Sequence, residues 1–339
     1  MKLSKNTSSK ESSHPLSMNG LYKNIQKSMI KVEEELNRFS QSKNPLISEI
    51  NSYLFHKSGK RIRPALLVLC SKLYGYKGYE HIFMGALVEA IHTASLIHDD
   101  IIDNSDMRRG RQTVHSKWGP NISVLLGDYL YIKTIGLSLE SHYREIIQVL
   151  TNTSAKMIEG ELTEYYMSGN VDIKEQDYLE IIQKKTASLF SASCQMGAIL
   201  GNASPKEKQS LADFGMNLGM CFQIIDDLLD YTGNEKDMGK PVLSDAGEGR
   251  ITLPLIYTLN NDGKGNRKRL AELLKNKKLD GDFREEILKT VQGNGALDYT
   301  YQKAKEHNLK SKKIIHNLSS NVYREDLLSL SDYILHRKK

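Results

Sequence analysis

The apolar residues of this chain recur at helical spacing almost from end to end, and this periodicity limits what the chain can fold into. Only seven prolines interrupt its 339 residues, and we find no alternating strand pattern of useful length. Segments such as "PALLVLCSKLYG" and "HIFMGALVEAIHTASLIHDDIID" are apolar on most faces and predict buried helices. Since no linker divides the chain convincingly, the pattern predicts one all-α domain of about ten or more helices.

The first residues differ in composition from the rest. Residues 1–20 are rich in Ser, Lys and Asn and predict a flexible N-terminal tail, which leaves residues 21–339 as the single domain. The net charge of +6 is dispersed along the chain. A nucleic-acid binder usually gathers such charge in a stripe with interleaved aromatic residues, so we expect no nucleic-acid partner. Mild basicity suits small anionic substrates or a peripheral membrane contact instead.

The cysteines and the hydropathy indicate where such a protein works. Cys70, Cys194 and Cys221 lie far apart without C-x-x-C spacing, which argues against a zinc site or a disulfide framework. No apolar run reaches the roughly 18 to 20 residues needed to cross a bilayer, and no signal-peptide pattern opens the chain. We therefore expect reduced, packed thiols in a cytoplasmic protein.

Two carboxylate clusters share the spacing D-D-x-x-D, and each follows an apolar helical segment. They consist of Asp99, Asp100 and Asp103 in "SLIHDDIIDNSDMRRG", and of Asp226, Asp227 and Asp230 in "FQIIDDLLDYTG". Positions i and i+4 lie on one helix face, so carboxylates at this spacing repel each other unless water or a cation surrounds them. A solvated helix end explains a single triplet equally well. Two triplets favour a cation-binding cleft between two helices.

The ligand chemistry of such a cleft favours Mg²⁺. Magnesium prefers octahedral oxygen coordination and commonly binds one or two carboxylates together with substrate phosphate oxygens. The sequence therefore predicts two acidic walls that clamp a diphosphate through Mg²⁺ and neutralise a leaving group. No P-loop is present.

Basic residues stand where they would assist this clamp. Arg108 and Arg109 follow the first triplet directly, and "GKRIRP" places Lys60, Arg61 and Arg63 in a turn before a helix start. Arginine forks and helix starts both suit phosphate oxygens. A positively charged surface loop is the alternative interpretation of "GKRIRP".

Taken together, "GKRIRP", "IHTASLIHDDIIDNSDMRRG", "KKT" and "FQIIDDLLDYTG" resemble the trans-isoprenyl diphosphate synthases of the long-chain polyprenyl type, from about Tyr22 to the C-terminus. The resemblance implies the isoprenoid synthase fold, an antiparallel helical bundle around a deep central cavity, and a homodimer. It implies head-to-tail condensation of isopentenyl diphosphate onto an allylic diphosphate. It also implies up to about three Mg²⁺ ions per active site, at the carboxylates of both triplets.

The resemblance assigns roles residue by residue. Asp99 and Asp103 chiefly bind Mg²⁺ and the allylic diphosphate, and the second triplet supplies another Mg²⁺. The residues that match the isopentenyl diphosphate site are Lys60, Arg63, His92 and Arg109. Those that match contacts to the allylic substrate are Arg108, Lys185, Thr186 and Gln223, with Lys240 of "GKPVLSD" near its diphosphate. The residues expected to carry catalysis are Asp99, Asp103, Lys185, Asp226 and Lys240. A lone histidine on an apolar helix, such as His92, is more often a core residue, and only the matching position favours a ligand.

Side chains upstream of Asp99 should limit the length of the product. Ser95 and Ala94 lie four and five residues earlier and are small, where short-chain members of the family often carry an aromatic residue. Ile91 belongs to the next layer. A helical turn rises about 5.4 Å, on the order of one isoprene unit. The resemblance to the family, and not this rise, implies a product of about thirty to fifty carbons. Close helix packing is the alternative reason for small residues here.

The sequence leaves four interpretations of the function open. A catalytic polyprenyl diphosphate synthase is the first, and a short-chain farnesyl or geranylgeranyl diphosphate synthase is the second. A subunit of a heteromeric synthase is the third, either non-catalytic or catalytic with a small partner. A terpene cyclase is the fourth. The two intact D-D-x-x-D motifs argue against a non-catalytic subunit and against a cyclase.

Overall fold

The computed structural model describes residues 18–55, 59–108, 110–233, 242–261, 264–275 and 281–338. Helices dominate these ranges. The strands within them are β1 (Met107–Arg108) and β2 (Arg111–Gln112), two residues each, which pair antiparallel. The all-α prediction is confirmed.

The described residues up to Met167 form eight α-helices, of which the longer ones form the bundle. They are α1 (Met18–Leu21), α2 (Gln26–Ser40), α3 (Pro45–Phe55), α4 (Ile62–Leu73), α5 (Glu80–Ile102), α6 (Val114–Trp118), α7 (Pro120–Ser138) and α8 (Arg144–Met167), with a 3₁₀ turn at Lys23–Ile25. Helix α1 begins inside the stretch 1–20 that was predicted as a tail, and residues 1–17 lie outside the described residues.

The described part of the second half begins with a helix that changes its winding. Helix α9 (Glu175–Ile182) continues through a π-helical turn (Gln183–Ala187) into α10 (Ser188–Leu200). The helices after it are α11 (Pro205–Thr232), α12 (Ser244–Gly247), α13 (Leu253–Asn261), α14 (Lys264–Lys275), α15 (Gly281–Gly293), α16 (Ala296–His316) and α17 (Val322–His336).

The core forms where apolar helices approach one another closely. Helix α10 packs between α4 and α11, and α11 packs in turn on α16. Gly197 on α10 permits this approach, because a Cβ atom there would lie 2.4 Å from the carbonyl oxygen of Leu67 on α4. Among the described residues, no helix combines the length and the hydrophobicity that crossing a bilayer requires.

The long helices α5 and α11 run into one cavity of about 1650 Å³. Each carries its D-D-x-x-D triplet near its C-terminal end. The N-terminus of α11 is fixed by a capping box, in which Ser204 accepts from the backbone of Glu207 while the Glu207 side chain accepts from Ser204, with Pro205 in the first turn. The same bundle therefore brings both triplets to one space.

Candidate active site

The first triplet divides its carboxylates between the cavity and the protein. Asp99 and Asp103 line the cavity, as their i, i+4 spacing predicts. Asp100 is turned away from it and is 5% exposed. One Asp100 carboxylate oxygen accepts a 2.6 Å hydrogen bond from Nε of Arg108, which follows on β1. Asp100 thus fixes the side chain of Arg108 at the edge of the cavity.

The second triplet is divided in the same way. Asp226 and Asp227 line the cavity, whereas Asp230 is buried beneath it. Its carboxylate accepts from the Ser244 hydroxyl at 2.7 Å and from the Asp245 amide at 3.2 Å. Asp230 therefore anchors the start of α12 to the end of α11.

Asp227 accepts hydrogen bonds on both of its oxygens. The Tyr178 hydroxyl donates to Oδ2 at 2.6 Å and the Gln223 amide donates to Oδ1 at 2.8 Å. The Thr186 hydroxyl donates in turn to Gln223 at 2.8 Å. Burial, reinforced by Asp245, raises the pKa of Asp227 well above its usual range. One carboxylate thereby orients two residues, Gln223 and Thr186, that the sequence matched to the allylic substrate.

The π-helical turn presents Lys185 and Thr186 to the cavity. Such turns insert an extra residue into a helix and occur frequently at functional sites. Nζ of Lys185 lies 2.6 Å from a Glu161 carboxylate oxygen and is also paired with Glu164, both on α8. Burial disfavours the charge on Lys185, but the attraction of Glu164, Asp99 and Glu161 outweighs it and raises the pKa of Lys185.

A second cation, Arg250, connects the first triplet to the segment around α12. Its guanidinium lies 2.7 Å from Asp103 and 2.9 Å from Asp245, and it also pairs with Glu248. Burial opposes its charge, but Asp245, Asp103 and Glu248 raise the pKa of Arg250. Near the C-terminus, Arg337 donates to Asp226 at 2.8 Å.

The electrostatics at Asp99 suit an incoming divalent cation. Burial, together with Glu161 and Asp103, raises the pKa of Asp99 to about 7 despite Lys185 and Arg108. Within the described ranges, no three His, Cys, Asp or Glu side chains lie close enough together to hold a metal ion. Oxygen donors spread over two walls fit Mg²⁺, which commonly completes its octahedron with water and substrate phosphate.

The basic turn before α4 faces the same cavity from another side. Lys60, Arg63 and His92 all line it. The Arg63 guanidinium lies 4.8 Å from the ring centre of Phe190, and the Lys60 ammonium lies 5.9 Å from that of Tyr333. Among the described residues, the structure therefore brings those matched to isopentenyl diphosphate and those matched to the allylic diphosphate into one space.

The comparisons with known proteins agree with this geometry. The model of the polyprenyl synthetase family matches residues 44–291. The chain belongs to the polyprenyl synthetase family. Octaprenyl diphosphate synthase of Escherichia coli is 35% identical over 297 residues, which cover 87% of this chain and 91% of that protein. Geranylgeranyl diphosphate synthase of Sulfolobus acidocaldarius is 34% identical over 307 residues, 87% of this chain and 92% of that protein.

The solved structures show the same fold. A polyprenyl synthase of Caulobacter crescentus, crystallised with calcium and isoprenyl diphosphate, superposes with a TM-score of 0.91 at 32% identity. The match covers 96% of this chain and 99% of that one. The resemblance inferred from the motifs is confirmed, and so is the isoprenoid synthase fold. The chain is a prenyltransferase of the polyprenyl diphosphate synthase kind.

The residues predicted to limit the length of the product of this polyprenyl synthetase occupy two different places. Ser95 lines the cavity, and its hydroxyl donates to the His92 carbonyl. Ala94 and Ile91, which were expected to face the tunnel with it, are 0% exposed and do not line the cavity. Successive residues of a helix point about 100° apart, so a neighbour of a cavity-facing residue turns into the bundle. The structure therefore places neither residue in the cavity wall, and their role in setting the chain length stays a prediction.

Two residues matched to the family's substrate contacts, Arg109 and Lys240, lie outside the described residues. Sequence reasoning also missed several residues that the structure places in the site: Glu161, Glu164, Tyr178, Asp245, Arg250 and Arg337. A partial signal existed in "GELTE", whose two carboxylates are three residues apart and share a helix face. Their lysine partner comes from another element, which no local spacing reveals.

Proposed function

We propose that this polyprenyl synthetase condenses isopentenyl diphosphate head-to-tail onto an allylic diphosphate, with Mg²⁺, to give an all-trans product of about thirty to fifty carbons. The observation that carries the proposal is the meeting of two aspartate walls, on α5 and α11, in one cavity. A basic turn and apolar side chains line other parts of that cavity. Diphosphates require the first two features, and a growing hydrocarbon requires the last.

The donor set indicates how the metal would be held. Asp99, Asp103 and Asp226 face the cavity and would bind Mg²⁺ together with diphosphate oxygens. When bound, Mg²⁺ supplies positive charge against the departing diphosphate. Asp100 and Asp230 would act one step away from the metal, because neither lines the cavity and each is hydrogen-bonded within the protein. Asp227 would orient Gln223 and Thr186 as well as complete the acidic wall.

The reaction follows from the placement of the side chains. Lys185, Arg108, Thr186 and Gln223 would hold the allylic diphosphate while its carbon–oxygen bond breaks. Lys60, Arg63 and His92 would hold isopentenyl diphosphate so that its double bond attacks the allylic carbon and forms the new carbon–carbon bond. The departed diphosphate would then accept a proton from the adduct, which restores a double bond. Apolar side chains, among them Leu96, Met157 and Ile181, exclude the water that would otherwise quench the carbocation.

The experiment that tests the function uses the purified chain alone. It is incubated with Mg²⁺, labelled isopentenyl diphosphate and farnesyl diphosphate, and the dephosphorylated products are sized. We expect one dominant long prenol, with no incorporation in EDTA and recovery on adding Mg²⁺. A product of fifteen or twenty carbons would favour a short-chain synthase instead. If geranyl, farnesyl and geranylgeranyl starters all give no incorporation without a second protein, the chain is a subunit that depends on a partner.

We also propose a homodimer that forms through α7 and α8. Large apolar side chains stand exposed along both helices, including Leu125, Ile132 and Leu162. Ile158 and Leu162 border the cavity as well, so a second copy would close its side. Light scattering of Leu162→Glu should report a smaller particle than that of the unaltered chain. Leu309→Glu is the matched control, since Leu309 is similarly exposed on α16, and an unchanged mass for both variants would refute this interface.

The remaining expectations stay proposals of the same kind. We infer that residues 21–339 work as one domain in the cytoplasm, with no nucleic-acid partner. A hydrophobic product and the mild positive charge of the chain support a peripheral contact with membranes. Fractionation of cells that produce the chain, with and without high salt, tests both the compartment and the contact.

A further inference from the structure

Arg61 adopts a backbone conformation that side chains other than glycine rarely take. It precedes α4 with φ 50° and ψ 38°, in the left-handed region. Such strain persists only where the surrounding structure holds the residue in place, and it concentrates at functional sites. Arg61 lines the cavity together with Lys60 and Arg63, the other two cations of the basic turn. Its backbone conformation therefore sets the directions in which the side chains of Lys60 and Arg63 project from the turn.

Two helices hold the Arg61 side chain. Nε and Nη2 form a fork with the two carboxylate oxygens of Glu33 on α2, at 2.6 and 3.2 Å. Nη1 donates to Glu89 on α5 at 2.8 Å. The Arg61 side chain is only 8% exposed, and that of Glu89 only 6%. Bidentate pairing of this kind fixes orientation as well as distance.

The cluster of Glu33, Arg61 and Glu89 is connected to all three residues that are proposed to bind isopentenyl diphosphate. Lys60 and Arg63 flank Arg61 in the chain, and the Tyr22 hydroxyl donates to the Lys60 carbonyl at 2.7 Å. His92 lies three residues after Glu89 on α5, on the same helix face. The contacts of Glu33, Arg61 and Glu89 thus lock the turn before α4 to the face of α5 that carries His92.

The charge of the cluster argues against a direct role in binding the diphosphate. One guanidinium is shared by two carboxylates, so the three side chains together are negative. Burial opposes the charge of Arg61, but bonding to Glu33 and the attraction of Glu89 raise its pKa. An anionic ligand gains little from a cation that is already surrounded in this way.

We propose that Arg61, clamped by Glu33 and Glu89, is a positioning residue that aligns Lys60, Arg63 and His92 for the diphosphate of the isopentenyl substrate. This inference rests on the proposed function and names the device that arranges one of its two substrate sites. It assigns Glu33 and Glu89 to the same task.

The test separates positioning from binding and from folding. Glu33→Gln and Arg61→Lys break the fork while keeping similar volumes, and Tyr22→Phe removes one hydrogen bond without changing charge. We expect the KM for isopentenyl diphosphate to rise about tenfold or more in the first two, because small misplacements of aligned groups are costly, and less in Tyr22→Phe. The kcat and the KM for the allylic diphosphate should stay within about twofold. Glu33→Asp should restore part of the affinity.

The chain contains a matched control for these variants. Arg269 and Glu286 form the same fork, Nε to Oε1 at 3.1 Å and Nη2 to Oε2 at 3.2 Å, between exposed side chains that do not line the cavity. Arg269→Lys and Glu286→Gln should leave every kinetic constant unchanged. Circular dichroism melts of all variants show which of them fold.

Three outcomes would overturn the proposal. A raised KM in Arg61→Lys with none in Glu33→Gln would mean that Arg61 itself contacts the diphosphate. A fall in kcat at unchanged KM would place the cluster in another step. Unchanged kinetics in both variants would make the fork purely structural. Calorimetric titration of isopentenyl diphosphate without an allylic partner reports the binding site alone, so failure of the alignment remains distinguishable from failure of the proposed reaction.

Discussion

At the scale of single residues, the six motif aspartates divide into those that face the cavity and those that face the protein. Asp99 faces the cavity, and Asp100, the next residue, is bonded to Arg108. We expect Asp99→Asn to lower kcat by about a hundredfold or more, as the loss of one electrostatic stabiliser does in other enzymes. Asp100→Asn should lower kcat less, since the carboxylate of Asp99 stays in the cavity. Steady-state kinetics over a range of Mg²⁺ concentrations compare the two, and equal losses would contradict this division.

Tyr178, a largely buried side chain at the cavity wall, acts on the second triplet through a hydrogen bond. Its hydroxyl donates to Asp227 at 2.6 Å, so Tyr178→Phe leaves a buried carboxylate with one donor fewer. We expect kcat/KM for the allylic substrate to fall about tenfold, because a lost hydrogen bond to a buried charged group costs about 1.5 to 3 kcal/mol.

The control for Tyr178 is another tyrosine with the same bond. Tyr299 donates to Glu175 at 2.6 Å, and neither residue lines the cavity. Tyr299→Phe should leave the kinetics unchanged. If both variants behave alike, Tyr178 has no influence on the site.

At the scale of the helix, one face of α5 serves the substrate and the opposite face serves the core. Ser95 borders the cavity one turn before Asp99, so Ser95→Phe should shorten the product by blocking the tunnel. Ala94→Phe should instead lower the melting temperature, since overpacking a filled core costs about 1 to 3 kcal/mol. Chromatography of the dephosphorylated products and thermal melts measure the two effects. A shorter product from Ala94→Phe alone would move the tunnel wall to that face.

The sequence predicted what local spacing determines. Helical periodicity located α5 and α11, and i, i+4 spacing put Asp99 and Asp103 on one face. It did not predict that Lys185 would meet Glu161, or that Arg250 would meet Asp103, because such pairs depend on how distant helices pack. It also treated neighbours such as Ala94 and Ser95 alike, although one residue along a helix changes the environment completely. The apolar walls were predictable, and the ionic partners within them were not.

At the scale of the whole molecule, a buried histidine links stability to pH. His81 is almost inaccessible, with its Nε2 atom 3.2 Å from the Ser28 hydroxyl. Burial, assisted by Lys72, lowers its pKa from 6.5 to about 4. The unfolded chain therefore takes up this proton first as the pH falls. The contribution of neutral His81 to the free energy of unfolding is fully present above pH 6.5. It is lost progressively toward pH 4, and the loss amounts to up to about 3 kcal/mol.

Urea unfolding at pH 7.5 and at pH 5 measures this dependence. His81→Gln cannot titrate there, so its unfolding free energy should differ less between the two pH values than that of the unaltered chain. His316→Gln, at an exposed position, should keep the full difference. An identical pH dependence in all three proteins would show that His81 is not the responsible group.

The ion pairs around the cavity also bear on selectivity. Lys185 and Arg250 are each already held by carboxylates of the protein, so a free anion must compete with those carboxylates for either cation. A divalent ion bound by Asp103 would change this balance in two ways, because it would add its own charge and would leave the Arg250 guanidinium with two carboxylate partners, Asp245 and Glu248, in place of three. The site thus discriminates between anions before any prenyl chain enters the cavity. Anions that cannot bridge a metal meet, at Lys185 and Arg250, cations that are already paired with carboxylates of the protein.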